Sequence, residues 1–496
     1  PEGVELVFWA SSTAGPVRIL LERQETLCFI RRPTTIEPSL VPENSYRRKS
    51  LDLMTLDGMP VDCLYFKSQR SMAEASARLK GVGKRVYESD VKPTERYLME
   101  RFLTGPIHVV GTHKKRSGYI EFVDPKITPV EYRPHLSVIS IDIETADFDG
   151  ELYSVSVTEG DRARVFVVDN KNWSETVREK LVIGRPGVHI SLHKDERSLL
   201  AALFPWISDY DPDVLIGWNV VDFDLSFLQR RCRHWNIPFS LGRGGDTATI
   251  LPAGAMAQKG TARIPGRVAL DGIEVLRAAT WSFEDFSLGA VARELLGKDK
   301  LLAAEQDRVE EIQRLYQEAP DELVAYNIED CRLAEGIFKE AKLVDFALER
   351  TRLTGLNLDR AGGSAAAFDN LYLPRLHRKG HVALDVGDRE LHDESPGGYV
   401  MDSKPGLYKN VLVLDFKSLY PSIIRSFRID PLGMAVPGDN PIEGFESVSF
   451  ARYGYILPDI LSELWTEREA AKDADNQPLA RAIKIIMNSF YGVLGS

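Results

Sequence analysis

The sequence predicts a chain of several domains, mixed α/β and α+β, and three observations carry that expectation. Its 496 residues imply about three to five domains at roughly 100 to 200 residues each. Apolar residues make up 44% and charged residues 27%, a globular balance far from the range in which chains stay disordered. The succession of strand-like and helix-like patterns also changes along the chain, from strand-rich to alternating to helical.

Residues 1 to about 133 mix short β-rich runs, such as Val4 to Ala10 and Val17 to Leu21, with a Pro-rich stretch from Pro33 to Pro42 and helix-like segments at Ser71 to Leu79 and Thr94 to Phe102. They read as a separate N-terminal α+β domain without chemistry of its own. Residues 134 to 345 alternate strand runs (Val138 to Ile143, Tyr153 to Val157, Val165 to Val168, Val214 to Trp218) with helical ones (Glu196 to Leu203, Leu225 to Trp235, Leu288 to Leu296, Asp321 to Lys339). That order predicts a sheet covered by helices. From 346 to 395 a polar, Gly-containing connector leads to a buried strand run at Val411 to Leu414, then to two helical patterns near 459 to 473 and 478 to 491.

Lys plus Arg total 62 and Asp plus Glu 73, a net charge of −11, and a simple charge rule argues against a nucleic-acid partner. Metal-binding acids and an acidic outer surface enter the same sum as a basic groove, however, so local clusters such as Lys114-Lys115-Arg116, Arg468 and Lys484 decide the matter. Cys28, Cys63, Cys232 and Cys331 are far apart with no C-x-x-C pair, which speaks against a zinc knuckle or a disulfide framework and for buried reduced thiols. No apolar run approaches the roughly 18 to 20 residues of a membrane-spanning helix, and the N-terminus lacks a signal pattern. A reducing cytoplasm is the expected compartment. The first residue is Pro1 rather than Met, which points to processing or trimming.

Two patterns imitate sites. Gly81-Val82-Gly83-Lys84 resembles part of a phosphate loop, but Arg78 stands where the first glycine belongs and Arg85 where a Ser or Thr would hold magnesium. His377 and His381 have a helical metal-ligand spacing, but Gly380 intervenes and no Glu completes H-E-x-x-H, so surface histidines are expected.

The run Val138-Ile-Ser-Ile-Asp-Ile-Glu-Thr145 reads as a mostly buried strand interrupted by two acids. Side chains alternate along a strand, so Asp142 and Glu144 project to one side about 7 Å apart, as metal ligands would; acids at a surface edge give the same pattern. Carboxylates that close call for a cation between them. Gly217-Trp-Asn219-Val-Val-Asp222-Phe223-Asp224 follows the apolar run Val214 to Ile216 and places Asp224 at the start of a helix, where terminal amides can orient it or where it is simply a cap. Tyr326 and Asp330 lie at i, i+4 on one face of an amphipathic helix. Four carboxylates and a tyrosine can hold two divalent cations about 3.5 to 4 Å apart, the arrangement that activates a water and stabilises the leaving oxygen in phosphodiester hydrolysis. Hard oxygen ligands without His or Cys favour Mg²⁺ or Mn²⁺ over zinc.

In order and spacing this set resembles the D-x-E, N-x-x-x-F-D and Y-x-x-x-D motifs of the DnaQ-like 3′-5′ proofreading exonucleases, and all three are intact. The resemblance implies an RNase H-like fold for 134 to 345. It implies Asp142, Glu144, Asp224 and Asp330 as metal ligands, Tyr326 positioning the water or scissile phosphate, and Asn219 and Phe223 contacting a single-stranded 3′ end.

A second acid, Asp415, ends the run Val411-Leu-Val-Leu and precedes Phe-Lys-Ser418-Leu419-Tyr420-Pro421-Ser422, where Pro421 favours a helix start whose free amides suit phosphates. Arg468 and Lys472 share one helix face, and Lys484, Asn488 and Tyr491 form a polar stripe on the next, apart from the apolar Ile483, Ile486, Met487 and Phe490. Generic solvated faces look alike, yet three cations on adjacent antiparallel helices could meet one polyphosphate.

D-x-x-S-L-Y-P-S-I-I and K-x-x-x-N-S-x-Y-G are similar to motifs A and B of family B DNA polymerases, and the likeness extends over essentially the whole chain, including R-Y-L-M-E-R-F near 96 to 102 and G-G-S-A-A-A-F-D near 362 to 369. The resemblance implies a partial palm at 396 to 450, fingers at 451 to 496, and a connector at 346 to 395 that packs on the N-terminal domain. Asp415 would bind catalytic metals, two per active site, and the backbone of Ser418, Leu419 and Tyr420 would cradle a deoxynucleoside triphosphate. Tyr420 would also exclude a ribose 2′-hydroxyl. Arg468, Lys484 and Asn488, with Lys472 in a lesser role, would grip the nucleotide, and Tyr491 and Gly492 would face DNA. A primer–template, and for a longer parent a sliding clamp, are the implied partners, in a nucleoid-associated enzyme of repair or lesion bypass. The sequence ends at Ser496, before the D-T-D palm motif and the thumb of that family, so an exonuclease-competent but polymerase-incomplete chain is expected. A polymerase-derived DNA-binding module without synthesis is the alternative, and a free-standing nuclease a third reading.

Overall fold

A computed structural model describes residues 3–147, 150–183, 186–253, 259–298, 308–388, 401–444 and 448–494. The N-terminal residues form two larger sheets and a two-stranded one, Ile107–Val110 with Lys126–Pro129. Val4–Ser12 and Gly15–Gln24 make a hairpin that Tyr119–Val123 and His113–Arg116 extend, and the exposed Lys114 and Lys115 lie on its edge strand. Tyr46–Thr55, Pro60–Phe66, Thr26–Arg31 and Val86–Tyr87 make the other sheet, with the helix Gln69–Gly81 packed on it. Gly81 to Lys84 form the end of that helix, Gly83 taking φ 74°, and hold no phosphate-loop geometry.

The middle of the chain is a six-stranded sheet. Its strands are β1 (Val138–Thr145), β2 (Leu152–Glu159), β3 (Arg162–Val168), β4 (Val188–His193), β5 (Val214–Gly217) and β6 (Val268–Asp271), in the order β4-β3-β2-β1-β5-β6. β1, β2 and β3 are antiparallel neighbours, whereas β4, β5 and β6 join in parallel. Alternation along β1 sends its apolar and acidic side chains to opposite faces. Ile139, Ile141 and Ile143 bury against α1 (Glu196–Tyr210) and α2 (Ser226–His234), while Asp142 and Glu144 face α4 on the other side. α1 begins at a capping box in which Asp195 accepts from the Ser198 amide at 2.7 Å. α3 (Leu288–Leu296) and α4 (Pro320–Glu340) cover the carboxylate side of the sheet, α4 starting with a proline at its first position.

α5 (Leu343–Thr354) and α6 (Ser364–Arg378) come next and share one apolar core with β5, β6, α4 and the C-terminal helices. After α6, His381–Val382 adds a parallel edge strand beside Met54 and Thr55, and Asp385 accepts from the Ser89 amide at 2.7 Å. The segment up to residue 388 therefore touches the N-terminal sheets directly, while the boundary at 395/396 lies outside the described residues. α7 (Leu419–Phe427), α8 (Leu457–Asp473) and α9 (Gln477–Leu494) close the chain, with α8 and α9 an antiparallel pair joined by a short turn.

Two expectations are corrected. Residues 411–414 are not a buried strand. They are irregular, and Val411 to Leu414 are 64% to 90% exposed; an apolar run becomes a strand only when another strand takes its backbone hydrogen bonds, and none of the described strands does so. His377, in turn, is not a surface residue. Its ring lies between Glu100, 2.5 Å from Nδ1, and Glu88, 2.8 Å from Nε2. Glu88 is buried, also receives Arg96 at 3.0 Å, and needs cations around it. α6 ends before His381, which is half-buried in the edge strand.

Burial pulls the His377 imidazolium down, but the hydrogen bonds it donates to Glu100 and Glu88 outweigh it and its pKa rises to about 9. A raised pKa gives stability that is complete below the unfolded value near 6.5 and lost as pH rises through about 9, here on the order of 3 kcal/mol. Thermal unfolding followed from pH 7 to 10 should show a falling midpoint for the wild type. His377→Gln should start lower at pH 7 and converge with the wild type by pH 10; a gap constant across that range would contradict the ion pair.

Candidate active site

The carboxylates meet where β1 ends. Asp142 and Glu144 project from one face of β1, and Asp330 reaches them from α4; one oxygen of each lies within 4.8 Å of the others. Glu144 and Asp330 are buried and Asp142 is partly open. Among the described residues this is the one cluster of three or more His, Cys, Asp or Glu with such spacing. The donors are all carboxylate oxygens, a set that suits a hard divalent cation.

Asp224 stands beside the group without joining it. The chain turns sharply there. A Cβ on Gly217 would come within 2.7 Å of the Ile141 carbonyl, so only glycine lets β5 end this close to β1. Asn219 then takes φ 58°, a left-handed conformation that asparagine tolerates. The next turn is wide: Leu225 N donates to the Val220 carbonyl at 2.9 Å, a π-type bond over Val221–Leu225 before α2 begins. The extra residue aims Asp224 inward. Its Oδ1 accepts from the Ile143 amide of β1 at 3.1 Å, so a strand amide helps to orient it, where the sequence offers either helix-terminal amides or a simple cap. Burial, and after it the negative charge of Asp142, push the Asp224 carboxyl well above the usual carboxylate range. Such a group ionises readily only when a cation shares the site.

Tyr326 lies on α4 one turn before Asp330, buried in the cluster that contains Leu315 and Leu323. Asn219 and Phe223 are partly exposed, the Phe223 ring 6.3 Å from that of Phe227. Sequence patterns missed Asn327. It is fully buried, donates through Nδ2 to Asp142 Oδ2 at 2.6 Å and accepts from Ser154 at 2.9 Å, and so fixes the Asp142 carboxylate from behind. Its only signal is its place next to Tyr326. Asp271, at the end of β6, was also unmarked. Burial raises its pKa to about 6, and it caps the following helix through the Ile273 amide at 3.0 Å.

The second set of residues is arranged differently. Asp415 is exposed in the irregular segment before α7, not at the end of a strand, and it belongs to no carboxylate cluster among the described residues. Ser418, at φ 54°, precedes α7, and its hydroxyl accepts from Arg468 of α8 at 3.1 Å. Tyr420 stacks on Tyr491 of α9, centroids 3.8 Å apart and planes inclined by 14°. Lys484, Asn488 and Gly492 lie on the exposed side of α9, and Leu419 is also exposed. The structure thus brings Ser418, Tyr420, Arg468 and Tyr491 together. Lys472 turns instead to Glu469 at 2.8 Å.

Residues 84–291 match the family model described as DNA polymerase family B, exonuclease domain, and residues 361–496 match that of DNA polymerase family B. The chain is 42% identical to DNA polymerase II of Escherichia coli over its whole length. The chain belongs to DNA polymerase family B. This family B chain spans 63% of the length of the Escherichia coli protein. It is also 29% identical to the DNA polymerase of Thermococcus sp. (strain 9oN-7), over 75% of the chain and 49% of that protein. Its fold matches the family B DNA polymerase from the archaeon Pyrobaculum calidifontis with a TM-score of 0.76, over 99% of this chain and 66% of that one, at 19% identity. Asp142, Glu144 and Asp224 lie in the part matched as the exonuclease domain and Asp330 beyond it, and the Ser418–Arg468 and Tyr420–Tyr491 contacts lie in the part matched to the polymerase. No described helix is long and apolar enough to cross a membrane.

Because Asn327 is the outer partner of Asp142, Asn327→Ala should lower Mn²⁺ affinity about tenfold or more in a titration of the purified chain. It should also cost roughly 1–3 kcal/mol of stability through the unmet hydroxyl of Ser154 and carboxylate of Asp142. Mn²⁺ binding equal to that of the wild type would show that Asn327 does not orient the site.

Proposed function

We propose that this chain carries the 3′-5′ proofreading exonuclease and part of the nucleotide site of a DNA polymerase of the polymerase II type. The observation that supports this best is the buried convergence of Asp142, Glu144 and Asp330 with Asp224 beside them. Asp142, Glu144, Asp224 and Asp330 would hold two Mg²⁺ or Mn²⁺ ions, and the all-oxygen donor set fits them. Bound there, the ions supply Lewis acidity to the attacking water and the leaving 3′-oxygen of a phosphodiester. The chain's own residues do the rest: Asn327 and the Ile143 amide hold Asp142 and Asp224 in place, Tyr326 positions the water or the scissile phosphate, and Asn219 and Phe223, at the open side, receive the single-stranded 3′ end.

In the same reading the first turn of α7, with Ser418, Leu419 and Tyr420, and the cations Arg468 and Lys484 take the triphosphate of an incoming deoxynucleotide, with Asn488 beside them, Lys472 as an auxiliary contact and Tyr491 and Gly492 toward DNA. The buried Arg468 Nε has no hydrogen-bond partner among the described residues, as expected of a group that meets an anion. Asp415 would bind metal, but it is exposed and joins no cluster of three acids among the described residues, so we assign synthesis to a protein of the length of the relatives and not to these 496 residues by themselves. Primer–template DNA, deoxynucleoside triphosphates and a sliding clamp are the partners of that longer protein, and repair or lesion bypass at the nucleoid its setting.

Incubated with magnesium and a 5′-labelled single strand, the purified chain should shorten the strand from its 3′ end. Asp142→Ala with Glu144→Ala should reduce this by more than the roughly hundredfold that loss of an outer partner reaches, and unchanged hydrolysis would remove the assignment. Primer extension by the same preparation should be weak or absent; robust synthesis would overturn the reading of Asp415.

A further inference from the structure

A second cavity, of about 530 Å³, opens in the same sheet but on its other side. Ile141 opposes Val157, Val157 opposes Arg164, and Arg164 opposes His189 across β1, β2, β3 and β4. These residues share the face of Ile139 and Ile141, away from Asp142 and Glu144. The volume falls in the range of small-molecule sites. Val157 and Ile139 contribute an apolar floor, Arg162, Arg164 and His189 a basic wall, and Trp206 and Tyr210 of α1 an aromatic one. The two aromatic rings stack at 5.2 Å and 23°.

The charges in this cavity are not matched. Arg164 hydrogen-bonds through Nη1 to His189 Nδ1, another basic group, and its buried Nε has no partner. No ion pair of Arg164 is found among the described residues, and burial holds its guanidinium below the usual arginine range. The acid that lines the cavity, Glu159, is taken by the Tyr210 hydroxyl. A half-buried guanidinium beside a histidine calls for an anion, and Arg binds phosphate with directional hydrogen bonds. A neighbouring aromatic pair over an apolar floor suits a planar ring.

We infer that this cavity is a binding site for a small aromatic anion of the nucleoside monophosphate class, with Arg164 and Arg162 on the phosphate and Trp206 and Tyr210 against the ring. The six-stranded sheet separates it from the carboxylate site, so occupancy needs neither metal nor an exposed DNA end.

Titration calorimetry with 2′-deoxyadenosine 5′-monophosphate in EDTA tests this. One saturable site is expected, with deoxyadenosine and inorganic phosphate each binding at least about tenfold more weakly. Arg164→Gln should weaken the nucleotide about tenfold or more, whereas Asp142→Ala with Glu144→Ala should leave it unchanged. Arg162→Ala removes an exposed cation without disturbing the fold and should also weaken binding, which decides the matter if Arg164→Gln does not fold. No saturable binding, binding indifferent to both arginines, or binding lost in the carboxylate variant would each overturn the proposal.

Discussion

Four carboxylates crowd into a space that the fold has largely closed to water, and the rest of the middle domain is organised around holding them there. Bringing like charges together in a buried site is unfavourable unless a cation or a proton intervenes. The raised pKa of Asp224 shows the cost, since burial and the neighbouring Asp142 both oppose its ionisation. The fold offsets it with fixed dipoles: the Ile143 amide on Asp224 and the Asn327 amide group on Asp142. It also places apolar layers on either side of the sheet, so that the acids have no other geometry to relax into.

Much of this was legible in the sequence because the relevant signals are local. Two acids spaced by one residue in an apolar run can only share one face of a strand, and Tyr326 and Asp330 can only share one face of a helix. The sequence places Asp224 at the start of the helix after β5, but its orientation is not legible there, since the wide turn at Val221–Leu225 and the close approach of Gly217 to Ile141 are backbone effects without a side-chain pattern. Asn327 escaped notice for the opposite reason. An asparagine inside a helix carries no spacing rule, and its value comes from two residues far away in sequence, Ser154 and Asp142. His377 shows the same limit: only the packing of α6 reveals that it sits between Glu88 and Glu100.

The C-terminal third behaves differently. Motif-like residues at Ser418, Tyr420, Arg468 and Tyr491 converge, because α7, α8 and α9 pack into the shared core. Asp415 does not share that fate. The strand read from Val411 to Leu414 rested on apolar character alone, which cannot distinguish a buried strand from a segment whose partner strands are not at hand. The chain spans 63% of its Escherichia coli relative; within it Glu144 and Asp330 are buried while Asp415 is exposed. Net charge was the least informative property, since the acids that would attract cations to bind DNA count against DNA in the sum.

We propose that the acids at the end of β1 form a cation site for phosphodiester chemistry. The most direct test is a crystal structure of the chain soaked in Mn²⁺ with a single-stranded oligonucleotide, read by anomalous scattering. Two manganese peaks about 3.5 to 4 Å apart are expected, bounded by Asp142, Glu144, Asp224 and Asp330, with the 3′ end approaching past Phe223. Manganese absent from this cluster, or bound with the strand's 3′ end elsewhere, would contradict it.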